Sequence, residues 1–236
     1  MSDFFAFTPA DWQAIWLTLK LCFITTLLLM LLATPLAWWL ARGGSWFHTV
    51  VQSLVALPLV LPPTVLGFYL LILLGPQGWI GQTLESMGLN HLAFSFNGIV
   101  VASLIYSLPF AVQPLQDAFG RLGHRPLEVA ASLGASPMDR LLTVVFPLCR
   151  GGLVTAATLS FAHTMGEFGV ILMLGGSIPG ETRVLSVMIY DYAEALDFQN
   201  AHRLSLLMLV FSFLILVAVY GRQRRFSLFA QRNVNS

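Results

Sequence analysis

Residues 128–135 of this chain read Glu-Val-Ala-Ala-Ser-Leu-Gly-Ala, and the pair Phe146-Pro147 follows them. Both lie in a polar loop of about residues 120–147, between two long apolar stretches. The rest of the chain is mostly apolar, so this loop is the part best suited to meet a water-soluble partner.

Local signals predict two short helices in this loop. Pro126 suits a first helical turn and predicts a helix from Leu127 to about Leu133. Gly134 is placed to end that helix in the left-handed conformation. Ser136 is expected to cap a second helix, Met138 to Val145, with Pro137 in its first turn. We therefore predict a helix, a glycine joint and another helix.

The composition indicates an all-α integral membrane protein. Of the 236 residues, 57% are hydrophobic and 10% are charged, whereas soluble domains carry about 25% charged residues. One soluble core cannot bury that much apolar surface, so the lipid bilayer is the expected environment. The only lysine is Lys20, and no basic cluster with interleaved aromatics predicts a nucleic-acid partner.

Hydropathy predicts five transmembrane helices in a single domain, residues 1–236. A helix that crosses about 30 Å of hydrocarbon needs about 20 apolar residues. The stretches that meet this are about 12–40, 50–74, 96–115, 148–174 and 204–220. No sixth span is expected, because splitting the fourth near Gly166 would leave two pieces that are too short.

Arginine placement predicts the orientation. Nine of the eleven arginines fall on alternate connections, and they are Arg42, Arg121, Arg125, Arg140, Arg150, Arg222, Arg224, Arg225 and Arg232. The other connections hold Arg183 and Arg203 together with most of the acidic residues. By the positive-inside rule the C-terminus is cytoplasmic, and five spans then place the N-terminus outside.

Prolines predict a break in the second span. Pro58, Pro62 and Pro63 precede Thr64, and each proline removes a backbone donor and obstructs the carbonyl four residues earlier. Freed backbone groups are tolerated at membrane depth where they are buried in protein or line a wet cavity. This segment is therefore a candidate for the transport pathway, and a packed kink is the alternative.

The fourth span contains an ionisable residue, Glu167, which makes it a candidate functional position. Ser160, Thr164 and Glu167 are spaced to share one helix face. Gly166 and Gly169 could allow close helix approach or loosen the helix. A pathway or gate is one interpretation. The alternatives are helix–helix hydrogen bonding by the hydroxyls and a carboxylate that holds a helix bend.

The pattern of residues 128–147 resembles the "EAA" motif of the membrane-spanning subunits of bacterial ABC importers, which reads E-x-A-A-x-x-L-G and then an apolar-proline pair. The resemblance implies a coupling helix that docks on a separate ATPase subunit. The matching positions are Glu128, Ala130, Ala131, Gly134 and Pro147. The chain has no G-x-x-x-x-G-K-[ST] phosphate loop. ATP and Mg²⁺ are therefore expected on the partner, with no cofactor, metal or catalytic residue here.

Nearly the whole chain, about residues 10–222, is similar to the molybdate, sulfate and tungstate permease family of ABC importers. The segments that carry the resemblance are 57–63, the E-x-A-A loop, 165–169 and 178–183. The family implies a homodimer, two ATPase subunits and a periplasmic or lipid-anchored oxyanion-binding protein at the bacterial inner membrane. Transport by alternating access follows, with molybdate ranked first and sulfate or tungstate left open.

Two other classes of protein are weaker interpretations. An ion-coupled secondary transporter would account for Glu167 and the broken second span, but it leaves the E-x-A-A loop unexplained. A membrane enzyme lacks support because no nucleophile, acid pair or metal cluster is visible.

Overall fold

The computed structural model describes residues 7–232, with side chains described through Val217. Every regular element in this part is helical. The helices are α1 Pro9–Leu40, α2 Trp46–Ala56, α3 Pro63–Leu74, α4 Trp79–Ser86, α5 Phe96–Leu122, α6 Arg125–Ser132, α7 Pro137–Arg140, α8 Phe146–Gly166, α9 Gly169–Gly175, α10 Leu185–Glu194 and α11 Phe198–Arg232. Within residues 7–232, five segments are long and apolar enough to cross a membrane, which confirms the predicted helical class and number.

Helices α1, α5 and α8 form the centre of the bundle. Ala33 and Ala37 of α1 are fully buried in a cluster with Ala111 of α5 and Ala156 of α8. Small residues let helix backbones approach closely, which is how helices associate without a hydrophobic driving force in lipid. The loop helix α6 lies at one end of this three-helix centre. The interruptions before α3 and before α9 lie further along the bundle.

The second predicted span, 50–74, is wrong in its bounds. Helix α2 ends at Ala56, a 3₁₀ turn covers Leu57–Leu59, and α3 begins only at Pro63. The membrane-length apolar segment is instead Pro63–Ser86, which comprises α3 and α4. The prolines separate the two helices, because Pro62 and Pro63 can begin a helix but cannot continue one.

The fourth predicted span, 148–174, is also wrong in its bounds. The membrane-length segment runs Pro137–Gly166, and α9 follows a break at Glu167 and Phe168. The sequence argument against a split near Gly166 is therefore wrong in one respect: the helix does break there, and the first piece is long enough to cross because it begins at Pro137. The second loop helix does not end at Val145 but continues as a π-helical turn, Leu141–Val145, into α8.

Pro147 explains the π-helical turn. It has no N–H to donate to the carbonyl of Thr143, four residues earlier. In the widened turn the N–H of Phe146 donates to the carbonyl of Leu141, five residues earlier. The helix therefore accommodates the proline without ending.

The first, third and fifth segments differ from prediction at their ends. Helix α1 begins at Pro9 because Thr8 and Asp11 form a capping box. Helix α5 extends to Leu122, and α11 runs through Arg232. The tail arginines lie outside the residues whose side chains are described; they are Arg222, Arg224, Arg225 and Arg232.

A buried polar cluster joins α1, α10 and α11 at the end of the bundle far from α6. Arg203 donates to the Asp11 carboxylate at 2.5 Å, and Tyr192 donates to the same carboxylate at 3.2 Å. Burial and the neighbouring Asp11 raise the pKa of the Tyr192 hydroxyl. Thr18 accepts a hydrogen bond from the Leu185 N–H at 2.8 Å. These contacts fix α10 against α1 at both of its ends.

Candidate functional site

Helix α6 lies outside the bundle as a short displayed element. It begins at Arg125 with Pro126 and Glu128 in its first turn, and no residue of it is buried. Gly134 then takes φ +86°, the left-handed conformation predicted for the joint. Ser136 and Asp139 form a capping box at the start of α7. The loop is therefore a helix, a glycine joint and a helix that continues into the bundle.

The two faces of α6 differ. Val129 and Leu133 are one turn apart, 60% and 82% exposed, on the face that points away from the bundle. Leu127, Glu128 and Ala131 lie on the other side and line a cavity. Sequence reasoning chose the glutamate and the alanines of the motif and missed Val129 and Leu133. An apolar i, i+4 pair in an otherwise polar loop was the available signal.

A cavity of about 480 Å³ lies between α6 and the end of α1. Its wall is formed by Trp38, Arg42, His124, Leu127, Glu128, Ala131, Pro137, Arg140, Leu141 and Val145. The Arg42 guanidinium stacks 3.5 Å from the centre of the Trp38 ring. Burial lowers the pKa of Arg42 from its ordinary value, but an arginine stays protonated at neutral pH.

The two predicted pathway segments meet where α3 and α9 begin. A Cβ added at Gly169 would lie 2.9 Å from Pro63 Cβ and 3.7 Å from the Thr64 backbone nitrogen. A Cβ at Gly67 would lie 2.7 Å from Met173 Cβ. The glycines therefore permit α3 and α9 to pack side by side as two half-helices. Pro58 is buried in the 3₁₀ turn before them.

Ser160, Thr164 and Glu167 are buried inside the bundle. The Thr164 hydroxyl lies 3.1 Å from that of Ser107, which is the predicted kind of helix–helix hydrogen bond. The Ser160 hydroxyl has no hydrogen-bond partner among the described residues, and the Glu167 carboxylate lies beside the Ser103 hydroxyl of α5. These three residues face α1 and α5 rather than the surface of the chain.

Gly166 and Glu167 differ in what surrounds them. Nothing lies within 4 Å of a Cβ added at Gly166, so this glycine permits no close approach within the chain. The Glu167 carbonyl accepts a hydrogen bond from Ser186 of α10 at 2.6 Å. No sequence signal pointed to Ser186, because the contact joins positions far apart in the chain. The break after α8 is therefore held by α10.

Long apolar helices, a displayed loop helix and paired half-helices define the chain as a multi-pass transport component. The family described as "Binding-protein-dependent transport system inner membrane component" matches residues 33–227. The chain belongs to that family and is an inner-membrane permease of the ABC importer type.

Individual relatives and solved structures show which members of this family the chain resembles. The chain is 56% identical to the "Molybdenum transport system permease protein ModB" of Azotobacter vinelandii over 91% of this chain and 95% of that protein. It is 32% identical to the "Probable sulfate transport system permease protein cysT" of Prototheca wickerhamii, over 89% of this chain and 82% of that protein. The fold is similar to that of a solved bacterial ABC transporter involved in alginate import, with a TM-score of 0.75 and 18% sequence identity. The match covers 93% of this chain and 80% of the other.

Proposed function

We propose that this chain is the membrane-spanning subunit of an ATP-driven importer that carries molybdate inward by alternating access. The displayed helix α6 is the observation that supports this most directly, because a transporter driven by its own ion gradient has no use for it. The relative named as a molybdenum permease covers almost its whole length. Sulfate and tungstate are the alternative cargoes, and the sulfate permease relative is the reason to test them.

The same proposal assigns the partners. Two copies of the chain, two ATPase subunits that bind ATP and Mg²⁺, and a periplasmic or lipid-anchored binding protein would form the transporter. No cofactor is assigned to this chain. The α6 end faces the cytoplasm, with the C-terminus, and the N-terminus lies outside. The arginine distribution supports this topology.

Contact with the ATPase is assigned to the outward face of α6. Val129 and Leu133 are large, apolar and exposed, and a pair of this kind fits an apolar groove as helix anchors one turn apart. Gly134 and Pro147 shape the joint and the start of α8, while Glu128, Ala130 and Ala131 complete the helix. In this arrangement α6 transmits motion of the ATPase to α8 through the continuous helical segment that begins at Pro137.

The gate is assigned to the segments around the two half-helices. Pro58, Pro62, Pro63 and Thr64 border α3, and Gly166, Glu167 and Gly169 border α9, next to Ser160 and Thr164. Close packing at Gly67 and Gly169 supports a pair of half-helices that move together. Alternating access then opens and closes the path as this pair shifts.

ATPase activity of the chain purified with its native partners tests the proposal. The binding protein is loaded in turn with molybdate, tungstate and sulfate. Stimulation by molybdate is expected. Stimulation by sulfate alone would overturn the cargo and keep the architecture. If no ATPase co-purifies, the importer proposal fails and an ion-coupled transporter becomes the better hypothesis.

Substitution on α6 tests the docking face. Leu133→Ala together with Val129→Ala should reduce co-purification of the ATPase at least tenfold, because buried apolar anchors dominate such contacts. Met87→Ala, at an equally exposed position after α4, is the matched control and should change nothing. Equal loss in both variants would remove α6 from the docking surface.

A further inference from the structure

The cavity beneath α6 carries an unbalanced charge. Its charged lining groups are Arg42, Arg140 and Glu128. The two guanidinium groups and the carboxylate make no ion pair with one another in the described structure. Two positive charges and one negative charge leave a single positive charge, which one monoanion would balance.

One donor beside this cavity has no partner. The Nε of Arg140 is buried and finds no hydrogen-bond acceptor among the described residues. A buried N–H without an acceptor is costly, and a charged one more so. Arg42 is meanwhile held in place by the Trp38 ring. The cavity therefore presents two arginines, one of them held against a ring, and its one acidic lining residue, Glu128, forms an ion pair with neither.

The rest of the lining is apolar. Trp38, Leu127, Leu141 and Val145 form much of the wall, and the volume of about 480 Å³ is in the range of sites for small organic molecules. A bare tetrahedral oxyanion would leave most of this space and all of the apolar wall without contact. A phosphodiester with attached glycerol and hydrocarbon matches both the charge and the lining.

We propose that this cavity binds the headgroup of an anionic phospholipid, with its phosphodiester on Arg42 and Arg140. The position at the α6 ends of α1 and α8 places it at the headgroup level of the cytoplasmic leaflet, a step that rests on the proposed topology. Basic pockets between membrane helices on that side bind anionic headgroups. Trp38 then lies where interfacial tryptophans are favoured.

The cavity is separate from the proposed docking face. Leu127, Glu128 and Ala131 point into the cavity, whereas Val129 and Leu133 lie on the opposite side of the same helix. A partner that covers Val129 and Leu133 leaves the cavity beneath α6 accessible. The lipid would therefore support the loop helix from the membrane side while the partner holds it from the other.

Native mass spectrometry of the detergent-released full chain, with and without its ATPase, tests the proposal. Dioleoyl-phosphatidylglycerol is titrated against dioleoyl-phosphatidylcholine, which carries no net charge. Retention of one phosphatidylglycerol per chain is expected. The double variant Arg42→Gln, Arg140→Gln should bind it about 30-fold more weakly, since each arginine near an anionic lipid contributes about fivefold. Equal retention of the two lipids would overturn the proposal.

Two further variants keep the test independent of folding. Arg121→Gln removes an exposed arginine of α5 that does not line the cavity, and it should leave binding unchanged. Ala131→Trp fills the cavity and keeps both arginines, and it should abolish retention of the lipid. If neither the double variant nor Ala131→Trp weakens binding, the cavity is not the site.

Competition experiments distinguish a phospholipid from other occupants of the cavity. Inorganic phosphate and sn-glycerol 3-phosphate at millimolar concentration should not displace phosphatidylglycerol, because they lack the hydrocarbon. Displacement by either one would show a free-anion site and overturn the lipid assignment. Displacement by the ATPase subunit would show that the partner protein occupies the cavity, and would overturn the lipid assignment too.

Discussion

Two ion pairs of the described chain differ in burial, and the difference sets what each contributes. Arg203 and Asp11 are buried, whereas Arg183 and Asp191 are each about one-third exposed at 3.3 Å. Removing one partner of a buried pair strands a charge and costs about 3–5 kcal/mol. An exposed pair contributes about 0–1 kcal/mol.

Asp11→Asn should therefore destabilise the chain far more than Asp191→Asn. The first variant leaves the Arg203 guanidinium without its counter-charge and weakens the Tyr192 contact. We expect a loss of about 3–5 kcal/mol against at most about 1 kcal/mol. Thermal unfolding in detergent, followed by size-exclusion of the surviving fraction, measures both. Equal midpoints for the two variants would contradict this.

Gly134 is the residue at which the loop joint depends on a left-handed backbone. Its φ is +86°, and a Cβ there would meet no atom within 4 Å, so the cost of a side chain is conformational. Gly134→Ala should cost about 1–2 kcal/mol, and Gly134→Asn less, because asparagine tolerates this conformation. Hydrogen exchange of residues 125–140 should rise in the alanine variant. Gly120→Ala, within helix α5 and in open space, is the control and should leave exchange unchanged.

At the scale of helices, the close contact between α3 and α9 depends on glycines, which have no side chain to obstruct it. Gly67→Ala would place a methyl group 2.7 Å from Met173 Cβ and 3.2 Å from the Val170 backbone. Backbone cannot yield as a flexible side chain does, so overpacking of about 1–3 kcal/mol is expected. Gly151→Ala of α8 meets nothing within 4 Å and should be neutral. The measurements are the unfolding midpoint and molybdate uptake of each variant. Equal losses in Gly67→Ala and Gly151→Ala would contradict the prediction.

Sequence signals located some helix ends and not others. The capping serine, Gly134 and the proline pair at Pro62-Pro63 each act locally, so their effect is readable from neighbouring residues. The break at Glu167 has no proline, and it is supported by Ser186, a residue from another helix. Hydropathy fails at the same place, because α9 is as apolar as the helix before it. The predicted helix end at Val145 is wrong for another reason, since the π-helical turn accommodates Pro147 and the helix continues.

At the scale of the whole molecule, the arginine distribution predicts which end of the bundle faces the cytoplasm. The described cysteines, Cys22 and Cys149, are both buried, so an impermeant maleimide should not react with them. Ser132→Cys on α6 should be labelled only after the membrane is permeabilised. Met87→Cys, after α4, should be labelled in intact spheroplasts. The reverse pattern would invert the topology.

The candidate sites were only partly predictable at this scale. The loop motif identified α6, and the predicted pathway segments do meet at Pro63 and Gly169. The sequence could not show which side of α6 faces outward, because that depends on how Pro137–Gly166 joins the bundle. Nor could it show the cavity, whose wall combines α1 with a loop about ninety residues later. Both features arise from tertiary packing.

The π-helical turn at Leu141–Val145 holds one residue more than the regular spacing of its neighbours, since its hydrogen bond spans five residues instead of four. Deleting one residue there would restore an ordinary helix and leave both flanks facing as before. The same deletion within α8 would rotate every later side chain by about 100°. Chain length can therefore vary by one residue at this turn while Ser160 and Thr164 keep their neighbours.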